Sequence, residues 1–293
     1  MGDIREKTWE FSGGRRELSI YPRPIRGACA RSAPPREVSP EQARRWHEAA
    51  ERRKLARKIE ANFNEDDYFL TLTYAKEPTD RRAAENDLSK FICRTRNFLR
   101  SRGESLSYIK TTGTGEKNGR FHHHVVLSGN VSRAELERLW SLGDIDVEYI
   151  GRDEDGTFSD LAGYIMKQGK DRPKGKPAYR GSRNLKIPPE KVSDDSITVR
   201  AFRRLAHAWT GDGETGLKRE LSRLYPDGTV VSAHAIRNPV TGALSFRAFL
   251  KCSSRAERRS FEAIRPSERM PFRRSAAYRD PLIPSPRSLV MRD

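Results

Sequence analysis

The chain has 293 residues, with 57 Lys or Arg against 40 Asp or Glu, a formal net charge of +17 and a sequence pI near 10.1. That surplus excludes an inert surface and points to a polyanionic partner, above all nucleic acid, whose phosphates release condensed counterions when Lys and Arg replace them. A mean hydropathy of −0.82 places much of the chain outside any core, and no run approaches the roughly 20 apolar residues of a membrane span.

Residues 1 to about 38 are rich in Arg, Pro, Gly and Ser without a sustained period, which predicts an extended basic arm. Ser39-Pro40-Glu41-Gln42 is a helix-start signal, so a helix is expected from about 40 to 62, completing an N-terminal segment over 1–62. Its apolar stripe, Trp46, Ala50, Leu55 and Ile59, is thin. The many arginines and lysines around it form either a solvated face or a phosphate-contacting one.

From Asp67 the texture changes. YFLTLTY reads as a central strand, and Leu88, Phe91, Ile92, Thr95, Phe98 and Leu99 mark an amphipathic helix over about 80–102. Residues 106–112 and 121–127 flank a Gly-rich connector and read as a β-hairpin. Ser132 and Glu135 form a capping box before a short helix that buries Leu136, Leu139 and Trp140. DIDVEYI is a further strand, and Phe158, Leu161, Ala162 and Ile165 define a helix over about 157–169. A Lys, Pro and Gly loop too polar to pack follows, then helices near 196–209 and 215–224. TVVSAHAIR and ALSFRAFLK read as a hairpin closing a domain over 63–252, and 253–293 reads as a disordered basic tail. The fold class is α+β, a central antiparallel sheet with helices packed on it.

Three consecutive histidines carry the first chemical signal. Strand side chains alternate, so His122 and His124 share one face and His123 takes the other. Two imidazoles side by side on a rigid strand suit a divalent cation such as Mn²⁺, or Mg²⁺ if oxygen ligands complete the shell. Tyr164 and Lys167, three apart on the helix, place a phenol and an ammonium on adjacent turns. Together these are the parts of a phosphodiester transesterase: a metal that withdraws charge from phosphate, a tyrosine nucleophile and an ammonium that favours the phenolate. Lys170, Arg172, Lys174, Lys176, Arg180, Arg183 and Lys186 form a basic segment suited to a DNA backbone, with Tyr179 available for base stacking. Among other tyrosines, Tyr68, Tyr74 and Tyr149 sit on strands, which leaves Tyr179 as the main rival nucleophile. His47, His207 and His234 are isolated and read as ordinary.

The succession Phe69-Leu-Thr-Leu-Thr-Tyr74, Arg120-Phe-His122-His-His124 and Tyr164-Ile-Met-Lys167 resembles the three motifs of the HUH endonucleases, most of all the single-tyrosine rolling-circle replication initiators of phages, plasmids and integrative elements. Ser182-Arg-Asn-Leu-Lys-Ile-Pro188 is similar to the segment that follows the tyrosine helix in the phage and integrative-element branch, so the resemblance spans about 66–190. It implies an RNA-recognition-motif-like sheet of about five strands with the paired histidines on its central strand and the tyrosine on a nearby helix. By that similarity Tyr164 attacks a phosphate of single-stranded or extruded origin DNA. The products are a 5′-phosphotyrosyl link and a free 3′-hydroxyl, with no nucleotide cofactor and with helicase and polymerase from the host. Arg120 would lie against DNA. Relatives carry a further polar metal ligand on the preceding strand, where this chain has Gly113. Glu116, an acid such as Asp66 or Asp67, or water is left to complete the shell.

A relaxase usually places its tyrosine before the histidines, so the order here favours an initiator or a single-tyrosine transposase. A non-catalytic nucleic-acid-binding protein on the same fold is the alternative from another class. Cys29, Cys93 and Cys252, odd in number and widely spaced, predict reduced thiols, and the opening MGDIREKTWEF lacks an apolar signal region, so a cytoplasmic protein is expected. No G-x-x-x-x-G-K-[ST] loop is present, which argues against an intrinsic helicase motor.

Overall fold

The computed structural model describes residues 4–23, 38–115, 119–128, 131–173, 175–239 and 242–252. In chain order the elements are β1 (Ile4–Phe11), β2 (Arg15–Pro22), α1 (Pro40–Asn62), β3 (Tyr68–Leu72), α2 (Arg81–Arg100), β4 (Tyr108–Thr114), β5 (Phe121–Leu127), α3 (Arg133–Leu139), β6 (Ile145–Tyr149), α4 (Ser159–Gln168), β7 (Arg180–Gly181), β8 (Glu190–Ser193), α5 (Val199–Leu224), β9 (Gly228–Arg237) and β10 (Leu244–Cys252). The fold is α+β, built on two five-stranded antiparallel sheets rather than one.

One sheet has the order β6-β3-β5-β4-β7, which makes the histidine strand β5 its centre. Alternation along its strands feeds two cores. Leu70, Leu72, Val125 and Leu127 pack under Leu88, Phe91 and Ile92 of α2 and under Trp140. Phe69, Ile109 and Val126 pack on the opposite side against Leu55 and Ile59 of α1 and Leu161, Ala162 and Ile165 of α4. Both expected capping boxes are present. Ser39 Oγ accepts from the Gln42 N–H at 3.2 Å while the Gln42 side chain accepts from the Ser39 N–H at 3.1 Å, and Ser132 and Glu135 repeat the arrangement on α3.

The second sheet, β8-β1-β2-β10-β9, corrects the expectation of an extended N-terminal arm. Residues 4–22 form a hairpin whose second strand pairs with β10 through Ile20↔Phe246 and Leu18↔Ala248. Its connector runs through Gly13 and Gly14 at φ 70° and 68°. The hairpin near the end of the described chain, β9 with β10, therefore extends this second sheet. Leu18, Ile20, Phe246 and Leu250 form its core with Phe202, Leu205, Trp209 and Leu217 of α5, which breaks at Gly213. The tail over 253–293 lies outside the described residues.

Helix α1 serves both sheets, and this accounts for its thin apolar stripe. Leu55 and Ile59 face the first sheet. On another face Arg57 stacks over Trp9 at 3.4 Å and grips Glu17 through Nε at 2.8 Å and Nη2 at 2.7 Å. Glu60 is buried between Arg15 and Arg152, the latter at 2.7 Å.

Candidate active site

Alternation on β5 puts His122 and His124 on the α4 side of the sheet, their ring centroids 5.0 Å apart. The His124 ring lies parallel to Phe69, at 9° and 5.3 Å, and Thr71 Oγ1 is 3.2 Å from its Nδ1. With Nδ1–H donating to that hydroxyl, Nε2 keeps its lone pair, and it faces the Tyr164 hydroxyl at 3.2 Å. Tyr164 is half-buried on α4, with its ring edge-on to Phe69 at 5.8 Å. The helix that presents it opens on Asp153, whose carboxylate accepts from the Ser159 N–H at 3.0 Å and the Asp160 N–H at 3.3 Å.

His122 brings in a residue that the sequence reading missed. Its Nδ1 faces the Arg120 carbonyl at 3.4 Å, and its Nε2 lies 3.0 Å from Gln168 Oε1. With its proton on Nε2, His122 donates to this amide oxygen. About 3 Å is also the edge between neighbouring ligands of an octahedron with bonds near 2.1 Å, so the same two atoms fit adjacent corners of a divalent cation's shell once that proton is displaced. Gln168 is four residues after Tyr164, so both project from one helix face. That spacing is the signal the sequence carries for it.

Gly113 is the cross-strand partner of His122, and its lack of a side chain makes room for the new neighbour. A Cβ there would lie 2.7 Å from Gln168 Oε1 and 2.8 Å from His122 Nε2. Asp66 and Asp67 do not reach the site. They precede β3, whose Thr71 is the residue level with His124, so at about 3.3 Å per residue Asp67 starts some 13 Å away along the strand. Glu116 lies outside the described residues, among which no cluster of three His, Cys, Asp or Glu side chains could hold a metal. The donor set is two imidazoles and one amide oxygen, which suits Mn²⁺ or, with water, Mg²⁺.

His123 points into the other core. It is fully buried, with Tyr74 Oη 2.8 Å from Nε2 and Thr112 Oγ1 2.9 Å from Nδ1. Burial, aided by the nearby His122, Lys110 and Arg81 charges, holds its pKa down to about 3, so this imidazole is neutral. The rival tyrosines stand elsewhere. Tyr74 is buried against His123, and burial raises its phenol pKa. Tyr68 and Tyr149 pair with each other at 5.3 Å on the α2 side. Tyr179 packs beside the α4-side core with Lys58 5.8 Å from its ring, and burial raises its pKa as well.

Lys167 is exposed on α4, one residue before Gln168. Arg120 is held by Glu77 at 3.2 Å and also donates to the Tyr74 carbonyl; Glu77 in turn accepts from the Phe121 N–H at 2.6 Å, which pins the start of the histidine strand. The loop after α4 is packed, contrary to the expectation from its polarity. Gly169 sits so close to Ala178 that a Cβ would be 2.1 Å from its carbonyl oxygen, and Thr111 Oγ1 donates to that same oxygen at 2.8 Å. Arg172 is spent on this loop, donating to the Lys176 carbonyl at 2.6 Å and the Gly169 carbonyl at 2.9 Å. Tyr179 and Leu185 enter the core, and Asn62 brackets Lys186 through both backbone groups. Lys170, Lys176, Arg180, Arg183 and Lys186 remain exposed along it, whereas Lys174 lies outside the described residues.

Residues 67–169 match the family model of replication-associated protein ORF2/G2P. The match supports a replication-initiator family. It starts one residue before β3 and ends at Gly169, directly after Gln168, so it encloses His122, His124, Gln168 and Tyr164. No curated protein and no solved structure gave a significant match. Among the described residues no helix is long and apolar enough to cross a membrane.

Proposed function

We propose that the protein is a DNA nicking and joining enzyme that initiates rolling-circle replication. The observation that carries this reading is the Tyr164 hydroxyl 3.2 Å from His124 Nε2, beside His122 and Gln168, inside the segment that matches a replication-associated family. His122, His124 and Gln168 would hold Mg²⁺ or Mn²⁺, and the ion would supply Lewis-acid withdrawal of charge from the scissile phosphate.

Tyr164 Oη is the nucleophile. As its bond to phosphorus forms, the bond from phosphorus to the 3′-oxygen breaks, the phenol gives up its proton to solvent and the departing 3′-oxygen takes one from solvent. The chain is left joined to DNA through a 5′-phosphotyrosyl bond, and the free 3′-hydroxyl primes a polymerase. Reversal onto another 3′-hydroxyl reseals the strand, so no nucleotide cofactor is consumed. Lys167, on the next turn, offsets charge on the phenolate and on the five-coordinate phosphorus. Phe69 and Thr71 hold His124 so that its Nε2 lone pair stays on the Tyr164 side. Exposed Lys170, Lys176, Arg180, Arg183 and Lys186 track the DNA backbone, and unwinding and extension fall to a helicase and a polymerase of the host.

The test is a denaturing gel of the protein incubated with single-stranded origin DNA and Mn²⁺. A covalent adduct is expected from the unaltered chain, none from Tyr164→Phe, and very little from His122→Ala with His124→Ala. Tight, salt-sensitive binding without cleavage under any divalent ion would replace the enzyme with a binding-only protein.

A further inference from the structure

We infer that DNA leaving the nicking site crosses the β7 edge of the sheet and lays a phosphate on a cation cluster on the opposite face, formed by Lys110, Arg96 and Arg180. The inference rests on the nicking reading for the route and on the cluster itself for the contact. In the antiparallel register Lys110 of β4 stands directly opposite Arg180 of β7. Like charges in that position repel, so their pairing calls for a compensating anion. Arg96 reaches in from α2, its guanidinium 6.0 Å from the ring of Tyr108, which precedes Lys110 by two residues and shares its face.

The ammonium of Lys110 donates to Ser89 Oγ at 3.0 Å. Its pKa is lowered, first by burial and then by Arg180, with Arg96 acting in the same direction. Glu85 pulls the other way but is engaged by Arg81 at 3.1 Å. Among the described residues no carboxylate forms an ion pair with Lys110, Arg96 or Arg180.

Several cations on the strands of the second sheet are paired. Arg5 has Asp194 at 2.7 Å, Lys7 has Glu190 at 2.6 Å and Arg16 has Asp227 at 3.0 Å. Three cations without a paired carboxylate thus lie together here, and a phosphodiester supplies charge together with acceptors for guanidinium and ammonium.

The route is short. Thr111, next to Lys110 on β4, points to the active-site face, where it is level with His124 and bonds the Ala178 carbonyl two residues before Arg180. Neighbouring residues on β4 thus present the site on one face and the cations on the other, so a strand passes between them at this edge.

The experiment compares the unaltered chain with Lys110→Gln/Arg96→Gln. Fluorescence anisotropy over a salt series is read on a short oligodeoxynucleotide of about 10 nucleotides and a long one of about 40, the short one within the site size of a single binding groove. On the long DNA the variant is expected to bind more weakly, and its log–log salt slope to flatten by about 1.4, two contacts at roughly 0.7 each. On the short DNA, binding and adduct formation with Mn²⁺ are expected to stay unchanged, and the thermal unfolding midpoint not to fall, since relief of the like-charge repulsion offsets the lost Lys110–Ser89 bond. Equal slopes for the two proteins on the long DNA would overturn the inference, and so would an equal loss on both DNAs. If the unaltered chain forms no adduct, the nicking reading fails while the salt slopes still decide the contact. Arg96→Gln alone, at an exposed helix position, gives half the slope change should the double variant fold poorly.

Discussion

Replacing Gly113 by Ala probes the site through one added methyl group. The new Cβ would lie 2.7 Å from Gln168 Oε1, 2.8 Å from His122 Nε2 and 3.2 Å from His122 Cε1. Ordinary contacts are about 3.5 Å or more, so the imidazole and the amide must together withdraw by something near an ångström. Metal–ligand bonds tolerate about 0.2 Å, so a displacement of that size removes at least one ligand and is expected to weaken Mn²⁺ binding by about 10- to 100-fold. The fold itself should be little affected. Alanine recovers about 0.5–1 kcal/mol over glycine in a strand interior, against roughly 1–3 kcal/mol for accommodating the methyl. Electron paramagnetic resonance of free Mn²⁺ during a titration reads the first quantity and urea unfolding the second. Gln168→Ala, which adds no bulk, should weaken Mn²⁺ binding by a similar factor. Unchanged Mn²⁺ affinity in a folded Gly113→Ala protein would refute a cation between His122 and Gln168.

His123 predicts a pH dependence. Its folded pKa of about 3 lies below the ordinary 6.5, so the unfolded chain binds more protons between those values and stability falls as pH drops from 6.5 toward 3. At about pH 4.5 the loss from this residue is about 3 kcal/mol. His234, whose pKa is raised overall by its bond to Asp155 at 3.2 Å despite the opposing effect of burial, contributes with the opposite sign, its stabilisation fading as pH rises through the raised value. Urea unfolding across pH 4.5–7.5 should therefore show a shallower slope in His123→Gln than in the unaltered chain, and equal slopes would contradict a neutral His123. Glu60→Ala leaves the Arg15 and Arg152 guanidiniums facing each other without their shared carboxylate. It should cost about 3–5 kcal/mol by chemical denaturation, and a change under 1 kcal/mol would show that this ion cluster does not stabilise the contact between the sheets.

The first sheet and its site were legible because apolar spacing and chemistry coincide there. FHHHVVL alternates between two cores, so the side of each histidine could be read directly, and Leu161, Ala162 and Ile165 set the buried stripe of α4 beside Tyr164. Gln168 was missed although it sits one turn from the tyrosine, because a glutamine carries no metal signature of its own and only the void at Gly113 brings it against His122. The hairpin of β1 and β2 was hidden by charge. Glu6, Thr8 and Glu10 share the core-facing side of β1 with Ile4, while Trp9 and Phe11 lie on the other face with Arg5 and Lys7, so β1 shows no period-two apolar pattern. Loop 170–189 read as unpacked on composition, yet Tyr179, Leu185 and the Gly169–Ala178 approach fasten it, and such contacts arise between residues distant in sequence. Neither β7 nor β8 is long enough to show a period at all.

The central claim is that the Tyr164 phenol takes the DNA phosphate, and mass-spectrometric mapping of the adduct tests it most directly. After reaction with Mn²⁺ and origin DNA, nuclease trimming and proteolysis, the nucleotide remnant should reside on the peptide carrying Tyr164 and be absent from those carrying Tyr74 or Tyr179. A remnant on either of those tyrosines, or a cleaved strand with no protein attached, would contradict the account.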